Sequence, residues 1–97
     1  MNEFFETLGR HWAAAAKRRD VTIAPPTLDS RVALELLELA RVAAHTRERR
    51  FAPLSCYLAG VAAERLRAAK SGMDDAAIAG FIEEVRRTLE AEAPKAD

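Results

Sequence analysis

Apolar residues recur along this chain at three- and four-residue intervals in four separate blocks, the period of a helix with one buried side. In the first block Phe5, Leu8, Trp12 and Ala16 fall on one side of a segment from about Glu3 to Arg19. Asn2 stands where an N-cap belongs, and Lys17, Arg18 and Arg19 stand where the negative end of the helix dipole favours cations. The next stretch, Asp20 to Leu28, reads DVTIAPPTL. Pro25 and Pro26 forbid helix there and hold the residues before them extended, which predicts a loop with Val21 and Ile23 pinned to a core.

A second helix is predicted from Thr27 or Asp29 to about Thr46, with Val32, Leu36, Leu39, Ala40 and Ala43 on one side. Leu34 and Leu37 widen its apolar face, as expected of a central helix with more than one neighbour. A third begins at Pro53, a residue suited to the first helical position, and shows Leu54, Tyr57, Leu58, Val61, Arg65 and Leu66 as a stripe. It ends near Lys70, where Ser71 and Gly72 supply the stop. Asp74 or Asp75 caps a fourth, which turns Ile78, Phe81, Ile82, Val85 and Leu89 inward and Glu83, Glu84, Arg86 and Arg87 to water, and frays after Leu89.

No internal repeat and no alternating strand pattern interrupts this reading. The fold class is all-α, a four-helix bundle or an irregular four-helix array in a single domain over residues 1–90, followed by a flexible tail over 91–97. Phe5, Trp12, Leu36, Leu39, Leu58, Val61, Phe81 and Val85 are the expected common core, and Gly60 and Gly80, inside helices, are expected at close helix contacts.

Composition narrows the partners. The 97 residues carry fifteen basic and fifteen acidic side chains, so no global field draws the chain to nucleic acid or a membrane, and any electrostatic partner must read a local patch. The longest stretch without charge, Phe51 to Ala63, is shorter than the roughly 20 apolar residues that span a bilayer. Cys56 is the single cysteine and no signal peptide is visible, so the cytoplasm is the expected location.

Catalytic chemistry finds little support. His11 and His45 are the only histidines and lie on different helices, which with one cysteine leaves no zinc-ligand spacing. Nothing fixes Ser30, Ser55 or Ser71 against a histidine and an acid, so no nucleophilic triad is expected. Cys56 lies in the first turn of a helix near arginines, which favours a reactive thiolate. On an amphipathic helix the same residue reads as a small core side chain, and that reading is preferred. No cofactor, metal or catalytic residue is assigned.

The better candidate is the junction His45 to Leu58, HTRERRFAPLSCYL, where one helical pattern stops and another starts. Arg47, Arg49 and Arg50 with Glu48 give a local charge of plus two, followed by the N–H groups of a helix start and the Ser55 hydroxyl. Together with His45 these groups suit a phosphate or carboxylate. The competing interpretation is a solvated helix end that complements the dipole.

The block Leu36 to Ala63 also resembles the most recognisable segment of a family of small actinobacterial helical proteins of unknown function. The resemblance rests on Leu39, Ala40, Arg41, Ala44, His45, Ala52, Pro53, Leu54, Ser55, Tyr57, Leu58 and Gly60. It covers about a third of the chain well and the first helix loosely, with no counterpart for the fourth helix. Members of that family occur alone or joined to the nucleotidyltransferase that attaches guanine nucleotide to the molybdenum cofactor. The resemblance therefore implies a link to molybdopterin guanine dinucleotide synthesis or molybdoenzyme maturation. The expected function is that of a small non-enzymatic accessory or interaction protein with a protein partner, such as a molybdenum-cofactor enzyme, and with room for homo-oligomers. The alternatives are a nucleic-acid-binding helical domain, which would need Lys17–Arg19 and Arg47–Arg50 on one face, and a small cofactor-binding enzyme, which would need a closed polar pocket.

Overall fold

A computed structural model describes residues 2–92 as four helices, α1 (Glu3–Lys17), α2 (Ser30–Thr46), α3 (Phe51–Ala69) and α4 (Asp75–Glu92), with no strand among them. The chain is all-α, as its pattern predicts. It divides into two compact units, Met1–Ser30 and Arg31–Asp97.

In the first unit the Asn2 side chain accepts from the Phe5 N–H at 3.2 Å, the expected cap. The helix stops at Lys17, two residues before the expected end. Val21 N–H donates to the Ala16 carbonyl and Asp20 N–H to the Lys17 carbonyl, at 3.1 and 3.0 Å, bonds that close a helix around a left-handed residue. That residue is Asp20, with φ 62°, a conformation its short polar side chain tolerates better than most. Gly9, which the pattern did not single out, is the buried residue of α1. An added methyl there would run into the Pro26 carbonyl oxygen, so hydrogen alone lets the Pro25–Pro26 segment lie against the helix. Val21 and Ile23, expected in the core, are exposed, as is Trp12.

The second unit packs α2, α3 and α4 together. Its core is Ala63 of α3 with Ile78 and Ile82 of α4, surrounded by Val32, Leu36, Leu66 and Met73, while Leu39, Val42 and Ala43 are buried along α2. The expected core is thus only partly realised: Leu39 is buried, Leu36, Val61 and Phe81 are half-buried, and Leu58 and Val85 are exposed. The reason lies in α3, which carries two apolar sides. Ala52, Ser55, Cys56, Ala59, Ala63 and Leu66 turn inward, and the bulkier stripe of Leu54, Tyr57 and Leu58 turns out. Gly60 and Gly80 are not at close contacts, since an added Cβ at either meets nothing within 4 Å.

α3 starts two residues before Pro53 because the preceding turn already supplies helical bonds, Phe51 N–H to Glu48 O at 2.9 Å and Ala52 N–H to Arg49 O at 3.2 Å. Pro53 remains in the first turn, where its missing N–H costs nothing. At the far end Gly72 takes φ 79°. Asp74, not Asp75, caps α4 by accepting the Ala77 N–H at 2.9 Å, while Asp75 pairs with Arg67 of α3 at 2.9 Å. α4 runs to Glu92, past the expected fraying point at Leu89, and the rest of the expected tail lies outside the described residues.

Arg86, expected to face water, is instead the polar tie between α2 and α4, with a side chain only 15% exposed. Its guanidinium reaches Glu35 of α2 at 3.1 Å and Glu90 of its own helix at 2.8 Å, and Arg41 of α2 approaches Glu90 from the other side at 3.6 Å. Hydrogen bonding from Arg86 holds the Glu90 carboxyl below its ordinary value near 4.5.

Two outcomes follow from this packing. Ile78→Ala should cost about 2–5 kcal/mol in urea unfolding, while Leu34→Ala, on an exposed site, should stay within about 0.5 kcal/mol. Because the Glu90 pKa is lowered on folding, its contribution is present above about pH 4.5 and is lost as pH falls through the native value. Glu90→Gln should therefore lower stability at neutral pH and flatten the acid limb of a stability-versus-pH curve.

Candidate functional site

The junction between α2 and α3 is a four-residue turn, Arg47 to Arg50, entered by the Arg47 N–H donating to the Ala43 carbonyl at 3.2 Å. A turn this short cannot aim three long side chains in one direction. Arg50 folds back on Glu48, with Nε 2.5 Å from Oε1. Arg47 and Arg49 are exposed, and no acidic side chain among the described residues pairs with them. His45, two residues before Arg47 on α2, is exposed as well.

The other expected contributors lie elsewhere. The first two N–H groups of α3 are taken by the Glu48 and Arg49 carbonyls, and Pro53 has none, so the helix start offers no spare donor in its first three residues. Ser55 is half-buried and lines an apolar groove of about 280 Å³ with Leu39, Leu58, Phe81, Val85 and Leu89. An anion at the junction would be held by Arg47 and Arg49, with His45 and Arg50 at the margin.

Cys56 matches the core reading. Its Sγ donates to the Leu36 carbonyl of α2 at 3.6 Å, and burial pushes the thiol above its ordinary value, the opposite of what a nucleophile needs. His11 sits exposed on α1, in the other unit. Lys17–Arg19 and Arg47–Arg50 likewise belong to separate units. Among the described residues no group of three His, Cys, Asp or Glu gathers to hold a metal ion, and no helix is long and apolar enough to cross a membrane. The Arg86 cluster and Gly9 were missed at the level of sequence. The i, i+4 spacing of Arg86 and Glu90 was the available signal for the first, and Gly9 gave none.

What the fold and its surface define is a small all-helical protein that presents an exposed arginine turn between two of its helices. The chain belongs to the family described as Domain of unknown function (DUF6457), whose pattern matches residues 5–97. The match takes in α4, for which the resemblance in the Leu36–Ala63 block had no counterpart. No curated protein and no solved structure matches the chain.

The Cys56 environment sets an expectation for labelling. At pH 8 a thiol reagent should modify the native protein more slowly than the urea-unfolded chain, and the difference should widen with any substitution that tightens α3 against α2. Equal rates in the two states would remove Cys56 from the interior.

Proposed function

We propose that this chain is a non-enzymatic helical interaction module, and that the exposed pair Arg47 and Arg49, with His45 and Arg50 beside it, is where it recognises an acidic or phosphate-bearing partner. The observation that supports this most directly is that Arg47 and Arg49 stand exposed two residues apart on one turn with no carboxylate paired to either among the described residues, whereas Arg41, Arg50, Arg67, Arg86 and Arg87 lie against carboxylates. Unpaired guanidinium groups on an exposed turn are free to form charge-assisted, bidentate bonds with phosphate or carboxylate.

The resemblance of the Leu36–Ala63 block supports a particular setting for that contact, the synthesis of molybdopterin guanine dinucleotide or the maturation of molybdoenzymes. On this reading the partner is a protein of that pathway, and the chain works in the cytoplasm. Ser55 contributes to α3 packing and not to the anion.

Titration with guanine nucleotide followed by amide NMR tests the site. Shifts should cluster on residues 45–52, and Arg47→Ala combined with Arg49→Ala should abolish them. Both side chains are exposed, so the melting temperature should barely move. Shifts elsewhere, or none at millimolar nucleotide and none with a molybdenum-cofactor nucleotidyltransferase, would reduce the turn to helix punctuation.

A further inference from the structure

The outer side of α3 is the largest feature of the second unit that the arginine turn does not explain. Leu54, Tyr57 and Leu58 are 61%, 72% and 67% exposed, and Val61 continues the stripe one turn on. This i, i+3, i+4, i+7 spacing is the one that a helix normally buries. Leu58 also forms the rim of the apolar groove whose other rim is Val85 of α4, 53% exposed, with Phe81 and Leu89 inside. Ridge and groove are therefore parts of one surface.

We infer that this surface is a self-association interface, on which α3 of one copy packs antiparallel against α3 of a second copy across a two-fold axis. Three observations select a second copy over an unlike partner. First, the surface offers both a ridge and a groove. The ridge of Leu54, Tyr57 and Leu58 stands beside a groove of about 280 Å³, so a two-fold operation lets each copy insert its ridge beside the other's groove. Second, it is uncharged where a two-fold interface must be. Residues on the axis meet their own equivalents, so any charge there repels itself, and Phe51 to Ala63 carries no charged side chain. A surface built for an unlike charged partner would show one sign of charge, and the chain as a whole has net charge zero, so two copies do not repel at a distance.

Third, the area fits. The exposed parts of Phe51, Leu54, Tyr57, Leu58 and Val85 amount to on the order of 500 Å², at the upper end for a single apolar patch on a monomer and most of the roughly 800 Å² that each partner buries in a standard interface. α3, 19 residues long, supplies a contact line of about 28 Å. The antiparallel direction follows from the arginine turn at its start. Parallel packing would bring Arg47, Arg49 and Arg50 of both copies to one end, whereas antiparallel packing keeps them at opposite ends and also opposes the helix dipoles. The contact uses the side of α3 that faces away from its own core, so it is independent of the anion reading.

Sedimentation equilibrium of the full chain, from about 5 µM to 500 µM, reads the proposal. The wild type should form dimers, and Leu58→Glu, which places two like charges beside the axis, should weaken the dimer at least tenfold while keeping the helical circular dichroism signal. Tyr57→Arg serves the same purpose should Leu58→Glu fail to fold. Leu34→Glu, at an equally exposed site on α2, should leave dimerisation unchanged. A wild type that stays monomeric at 500 µM overturns the proposal. So does a dimer that survives both α3 substitutions or is broken by Leu34→Glu. Nucleotide shifts at residues 45–50, which lie outside this interface, would be unaffected by any of these results, so the two readings stand or fall separately.

Discussion

The inner side of α3 is built from alanine, and this sets how the rest of the second unit is made. Ala52, Ala59 and Ala63, with Ser55 and Cys56 between them, present little volume to α2 and α4. Small side chains remove little apolar area from water, and the burial that remains falls to a few larger ones: Leu39 and Val42 on α2, Ile78 and Ile82 on α4. The bulk that α3 does carry is left on the opposite side. A helix segment that is apolar on both sides, as α3 is from Phe51 to Ala63, belongs inside something. Here α2 and α4 cover only its inner side.

Polar contacts complete what burial leaves thin. Arg86 lies between Glu35 and Glu90, and Arg41 draws Glu90 toward α2, so the C-terminal half of α4 is held by a chain of alternating charges rather than by packed hydrocarbon. Such groups are costly to bury singly and tolerable when every one has a partner, and among the described residues no buried side-chain polar atom lacks one. The arginine turn lies outside this network. Arg47 and Arg49 are presented there with no carboxylate paired to them among the described residues, which is the observation behind the proposed contact.

Much of the local structure was legible in the sequence, because local structure is what short-range chemistry decides. Asn2 and Asp74 accept N–H bonds at helix starts, and Gly72 takes the left-handed conformation where the third helix stops. What the pattern could not choose was which side of α3 faces in. Two stripes run along that helix, and periodicity favours the larger residues although the structure buries the smaller ones. The burial of Arg86 was hidden for a related reason, since a glutamate 51 positions away supplies its partner. The need for glycine at position 9 depends on where a carbonyl of Pro26 arrives, which spacing along a helix does not encode. At the site, the exposed arginines were readable from charge and turn chemistry. The loss of Ser55 to the groove followed only from the phase of α3.

The bridge at Glu90 also changes the character of a helix end. Terminal turns ordinarily open and close freely, because their last carbonyls have no intrahelical partner and little holds them. Here Glu90 is gripped from two sides, by Arg86 on its own helix and by Arg41 on α2. Opening the last turn of α4 would therefore strip counter-charge from two guanidinium groups at once. The last turn of α4 is thus tied down by charge, and its protection from exchange would follow these ion pairs and not the apolar residues alone.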